Sequence, residues 1–177
     1  MKAISLWQPW ATLIATGAKI YETRSWDTRY RGPIAIHASK KMVMEHGFDF
    51  WKSMAEAIGT KYDFDAGAGM PMYTTDILKT GKALYNEQFP LGAVLATAEL
   101  VGCWTTHCLD NGGFGIRKRV QYDSGKASME TIEIFEPELL FGDFSPGRYA
   151  WELVNVKMLK EPIPAKGRQG LWECEVI

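Results

Sequence analysis

Residues 17–24 read Gly-Ala-Lys-Ile-Tyr-Glu-Thr-Arg, which crowds Lys19, Glu22 and Arg24 into six positions. A carboxylate set between two cations supports either of two chemistries. It can act as a general base on water while a neighbouring cation stabilises the developing oxyanion. It can also accept from the edge of a base while the guanidinium fork grips a phosphate or carboxylate. On a strand, Glu22 and Arg24 share a face and lie roughly 6.5–7 Å apart along it. Lys19 falls at the turn before, where strand parity does not set its direction. The plain structural alternative is a solvated ladder of ion pairs. Lys19, Glu22 and Arg24 are the candidate catalytic group.

Aromatic residues flank this stretch: Trp7 and Trp10 before it and Trp26 just after Arg24-Ser25. Bases stack on aromatic faces for about 1–3 kcal/mol each, and an arginine beside the ring adds a cation–π term. Trp26 is the first choice for a ligand-facing ring, whereas Trp7 or Trp10 also suits packing under a short helix. Trp151 and Trp172 read as core residues on strands. His37 and Ser39 alternate with Ile34, Ile36 and Ala38, so they occupy the other strand face, where a histidine can donate to a phosphate, shuttle a proton or serve as a satisfied structural residue. The tail holds Lys166-Gly167-Arg168-Gln169-Gly170 after Pro162 and Pro164, a donor-rich loop whose glycines let the backbone approach an anion. It is not an ATP-binding loop, because no GxxxxGK[ST] precedes a helix. Arg148 opens the segment Arg-Tyr-Ala-Trp-Glu, where it either faces the cleft or pairs with Glu152. His46 and His107 show no partner pattern.

The elements that must position these groups are short. Residues 2–6 read as a strand, followed by a helix through Thr16 with Pro9 in its first turn and Gly17 at its end. Residues 19–24 and 34–39 read as strands, and 40–58 as a helix with Met44, Phe48, Trp51 and Met54 about one turn apart. Residues 59–72 read as a loop and 73–86 as a second helix, making a helical insertion at about 43–88 in an otherwise single domain spanning 1–177. Residues 91–103 are the clearest strand. Residues 109–128 read as a glycine-rich turn and a charged, flexible stretch, with a helical turn near 136–142 and strands at 148–158 and 171–177. Five or six strands with inserted helices imply a mixed barrel or an α+β fold.

Composition narrows the field. An apolar fraction of 46% with 12% aromatics supports a packed core and argues against disorder. No apolar run is long enough to span a bilayer, and the N-terminus lacks the features of a signal peptide. Three cysteines without CxxC spacing point away from a zinc site or a disulfide framework and towards a reducing cytoplasm. No metal or cofactor is expected. Net charge is −1, yet residues 1–42 carry seven cationic residues against Glu22 and Asp27. That polarity suits a selective anionic ligand better than bulk duplex DNA.

The segment Gly17-Ala18-Lys19-Ile20-Tyr21-Glu22-Thr23-Arg24 resembles the GxKxxExR signature of ASCH domains. Gln8-Pro9-Trp10-Ala11 resembles the entry motif of the same family, which adds Gln8 to the ligand-contacting candidates. The strand carrying His37 and the strand near Gly92–Ala96 fall where the family places barrel strands, and the tail from Pro164 to Trp172 resembles that of bacterial and phage-type members. The resemblance implies an α+β, PUA-like mixed β-barrel with a cleft that takes RNA or a modified nucleoside or nucleotide. Some members remove an acetyl group from a modified cytidine, and some are ribonucleases. In the amidohydrolase branch a lysine is followed three residues later by a nucleophilic threonine. Here that position is Glu22, and the adjacent Thr23 points to the opposite strand face. Two readings follow: a module that binds an RNA base, and a hydrolase built on Lys19, Glu22 and Arg24. A protein-interaction domain using the 43–88 segment is a third.

Overall fold

A computed structural model describes residues 1–43, 45–58, 89–121 and 127–175. Among these residues, eight strands and three helices are assigned: β1 (Lys2–Gln8), α1 (Trp10–Ala15), β2 (Tyr21–Arg24), β3 (Gly32–Met42), α2 (Phe48–Ile58), β4 (Ala93–Cys108), β5 (Phe114–Gln121), β6 (Ala127–Ile134), α3 (Glu138–Phe141), β7 (Tyr149–Pro164) and β8 (Leu171–Glu173). The expected loop at 59–72 and helix at 73–86 lie outside the described residues, as does Met44. The chain divides into two compact units. One comprises Met1–Lys19, Pro33–Glu99 and Asn155–Ile177; the other comprises Ile20–Gly32 and Leu100–Val154.

The strands pair in the order β2-β7-β4-β3-β1-β8, with β5 on β4 and β6 on β5. The β1–β3 pair is parallel, while β1–β8, β2–β7, β4–β5 and β5–β6 are antiparallel. The sheet is therefore mixed, and it is not closed into the expected barrel. Closure needs the two ends of the strand path to pair with a fixed stagger. Among the described residues the ends are β2 and β8, strands of four and three residues, and neither pairs with the other.

In the first unit, β3 is buried continuously from Ile34 to Ala38. The expected alternation holds for direction, but both faces are covered, as happens when a central strand is sandwiched. Ala3, Ala35, Val94, Trp172 and Cys174 form a cluster. Helix α1 lies against β1, burying Ala11, Leu13 and Ile14. Pro9 precedes the helix as its cap residue and does not sit inside the first turn. It cannot supply a side-chain acceptor, and Gln8 does so instead. The Gln8 Oε1 accepts from Thr12 N–H at 3.0 Å, while its Nε2 donates to the Pro90 carbonyl at 2.9 Å. The last turn closes through Lys19 N–H to the Leu13 carbonyl at 3.0 Å, with Gly17 at φ +78° making the reversal.

The second unit corrects the reading of residues 109–128. The Asn111-Gly112-Gly113 turn is present, closed by Gly113 N–H to Asn111 Oδ1 at 2.9 Å. The charged stretch beyond it is strand β5, paired residue for residue with β6. Alternation of Ile116 with Arg117 and Lys118 reads as polar, but Ile116 is fully buried with Ile134, Phe144 and Ala150. Lys118 stands directly opposite Glu130, so charge is matched across the ladder.

Replacing Gln8 with alanine strands the Thr12 amide and the Pro90 carbonyl in the interior. The expected loss is about 2 kcal/mol, read as a fall in Tm of about 4–8 °C. An unchanged melting curve rejects this role for Gln8.

Candidate functional site

Strand β2 carries the second unit's share of the signature. It pairs with β7 in the register Tyr21–Glu152, Glu22–Trp151, Thr23–Ala150 and Arg24–Tyr149. Directly opposed residues share a face, so Glu22, Arg24, Tyr149 and Trp151 project together. The Arg24 Nε sits 3.0 Å from Glu22 Oε1, with side chains 27% and 10% exposed. Trp151 is wholly buried and donates its indole N–H to the Trp26 carbonyl at 3.3 Å. The Trp26 ring meets Trp151 edge-on at 4.5 Å and is itself 36% exposed. A partly buried, oriented carboxylate–guanidinium pair thus shares its unit with an open indole backed by a rigid one. Such a set can read a base edge by hydrogen bonds and hold the ring by stacking.

The opposite face explains why β2 stays in register. Glu138 on α3 accepts from the amides of Ile20 and Tyr21, at 3.0 and 2.9 Å. Thr23 lies across the strand from Glu22, and its hydroxyl accepts from the Asp143 amide at 3.0 Å. Arg148 pairs with Asp143 at 3.1 Å and not with Glu152. The Glu152 carboxylate is taken by Lys118 Nζ, at 2.8 and 2.9 Å, and by Trp104 Nε1 at 2.8 Å. Burial, with Glu152 and Glu138 nearby, pushes the Tyr21 phenol above its ordinary value.

The first unit gathers a different set. Trp172 Nε1–H donates to Ser5 Oγ at 3.1 Å, Ser5 Oγ lies 3.1 Å from His37 Nδ1, and His37 Nε2 lies 3.1 Å from the Ala165 carbonyl. A carbonyl only accepts, so Nε2 carries the ring proton and Nδ1 accepts from Ser5. Burial holds the His37 pKa below its ordinary value, against the raising effect of the Ala165 bond. His37 is therefore a neutral anchor whose ring nitrogens are both engaged, one of them holding Ala165. The next turn presses on it: a Cβ at Gly167 would strike His37 Cε1 and lie 2.6 Å from His37 Nδ1 and Ser5 Oγ. Around Gly167, Lys166, Arg168 and Gln169 are all exposed.

The remaining candidates divide. Trp7 is 48% exposed, with Lys41 Nζ 3.6 Å from its ring centroid. Ser39 Oγ accepts from the Lys41 amide at 3.2 Å. Trp10 is half-buried against His46 and Phe50, at 5.1 and 6.3 Å, and packs α1 onto α2. Gln8 is wholly interior, its amide spent on backbone groups. Lys19 is buried in the first unit, and Glu22 and Arg24 belong to the second. Tyr149, Glu138 and Asp143 were not singled out from the sequence. Tyr149 sits beside Arg148 in a recognised strand, but only the register with β2 sets it across from Arg24.

The neutral state of His37 gives a pH signature. The unfolded chain binds this proton more readily than the folded one, so stability is full above the ordinary histidine value near 6.5 and falls as pH drops towards the lowered folded value. Melting temperature measured against pH should fall more steeply below about pH 6.5 in the wild type than in His37→Asn. Parallel curves reject the assignment.

No curated protein matches the chain. The ASCH domain matches it over residues 4–163. The match takes in the signature on β2, the His37 strand and the segment between β3 and β4, and stops just short of the Lys166–Gln169 turn. With most of its length so matched, the chain belongs to the ASCH domain family.

Proposed function

We propose that this ASCH domain binds RNA by capturing one splayed base or modified nucleoside, with Glu22 and Arg24 reading its edge and Trp26 stacking on its face. The observation that carries this reading is the 3.0 Å Arg24–Glu22 pair, half sheltered, in the unit that holds the exposed Trp26 ring. Recognition by stacking and edge contacts does not require high net charge, which agrees with a chain at −1. PUA-like kinship and a bacterial or phage-type subgroup belong to the same reading. A cytoplasmic setting fits the three free thiols of Cys103, Cys108 and Cys174. Among the described residues no helix is long and apolar enough to cross a membrane.

Binding is favoured over hydrolysis by two contacts. The Glu22 Oε1 is held 3.0 Å from Arg24 Nε, a pairing that suits reading a base edge. The Thr23 hydroxyl, the nearest substitute for an amidohydrolase nucleophile, lies on the other strand face and accepts from Asp143.

Fluorescence anisotropy with short single-stranded RNA, competed by a panel of modified nucleosides, tests the proposal. Trp26→Ala should weaken binding about 5- to 150-fold, and Arg24→Gln should weaken it with its melting curve unchanged. Wild-type affinity in both variants refutes the base site. Product detected by mass with the wild type and lost in Glu22→Gln replaces it with the hydrolase reading.

A further inference from the structure

The first unit carries a surface that the base site does not use. Strands β1 and β3 run parallel with Ser5 opposite His37. Side chains two residues apart share a face, so Ser39 and Lys41 follow His37 along one face, and Trp7 follows Ser5. The Lys41–Trp7 contact confirms this at the far end. At the near end, Gly167 lies directly on His37 and Ser5, and it places Lys166 and Arg168 beside them, both exposed. Four residues of β3 separate His37 from Lys41, across a register shift against β1 between Leu6 and Gln8. The face thus has cations at both ends and an open indole at one of them.

Among the described residues Lys41, Lys166 and Arg168 enter no ion pair, whereas Lys2 on the same strand pair is neutralised by Glu173. Cations spread over a strand face and the turn at its other end suit a polyanion better than a lone phosphate. The exposed Trp7 ring adds a second requirement, a flat π partner. An acidic peptide need not supply one, and a duplex keeps its bases stacked inside.

We infer that Trp7, Lys41, Lys166 and Arg168 form a second nucleic-acid site that tracks the sugar–phosphate backbone of a single strand, with one base stacked on Trp7. The site rests on the reading that this protein binds nucleic acid, but not on the Glu22–Arg24 base pocket. Its Lys166–Gln169 portion is held in place by the neutral His37 anchor, and Gly167 is required for that approach.

The test is binding of uridine monophosphate, a short oligouridylate and a longer one across a salt series. The longer strand should bind the wild type more tightly, with a steep salt dependence. Lys41→Gln and the Lys166→Gln/Arg168→Gln double variant should each lower the slope of log K against log salt by about 0.7 for every phosphate left without its cation. Trp7→Ala should weaken the longer strand about 5- to 150-fold, and none of the three should alter binding of the mononucleotide. Wild-type behaviour of these surface variants on the longer strand overturns the site. Competition by polyglutamate equal to that by RNA, insensitive to Trp7→Ala, also overturns it in favour of an acidic protein partner. The two sites fail separately: if Trp26→Ala and Arg24→Gln bind normally while the strip variants lose the length-dependent term, the base pocket is wrong and the strip stands.

Discussion

The antiparallel register of β2 on β7 is the constraint from which the signature derives its meaning. A slip of one residue would send Glu22 and Arg24 to the face now occupied by Tyr21 and Thr23. A four-residue strand makes too few ladder bonds to resist such a slip alone. The register is secured from outside by the Glu138 carboxylate on two successive amides and by the Asp143 amide on Thr23. Hydrogen bonds to a charged group contribute about 1.5–3 kcal/mol each, so Glu138 rivals several ladder bonds. A helix of only four residues therefore matters because it carries Glu138 to the start of β2.

The first unit solves a comparable problem with a partly buried polar chain. Trp172, Ser5, His37 and the Ala165 carbonyl link residues near both ends of the chain through three contacts of 3.1 Å. A fully satisfied network of this kind rigidifies its surroundings and fixes one arrangement, since any broken member leaves a buried polar atom stranded. Here the arrangement it fixes is the approach of a glycine backbone to an imidazole ring. The flexible, donor-rich turn read from the sequence is anchored at its centre, and its cationic side chains diverge from that point.

Electrostatics follows from which charges are spent locally. Arg24, Lys118, Arg148 and Lys2 each meet a carboxylate within 3.1 Å. These pairs serve geometry: they hold strands and turns, and being partly exposed they contribute little net stability. The cations left over among the described residues lie on particular stretches, which is how a chain of net charge −1 can present a local positive surface.

Short-range physics made much of this legible from the residues alone. Strand parity set Glu22 with Arg24 and against Thr23, and it set His37 with Ser39. Pro9 and Gly17 bracketed α1 because each restricts or frees one backbone angle locally. The spacing of Gly17, Lys19, Glu22 and Arg24 carried the family resemblance. What depends on contacts distant in sequence was not legible. The charged residues 114–121 look mobile until β6 supplies a ladder and a core partner for Ile116 and Glu152 takes Lys118. Arg148 has two acidic neighbours in sequence range, and only the turn geometry selects Asp143. That the Gln8 amide meets Pro90, 82 residues away, is also set only on folding. Whether the strand path closes on itself is likewise decided by pairing between its ends. Parity and capping act over a few residues, whereas partner, register and closure are set by segments the chain brings together only on folding.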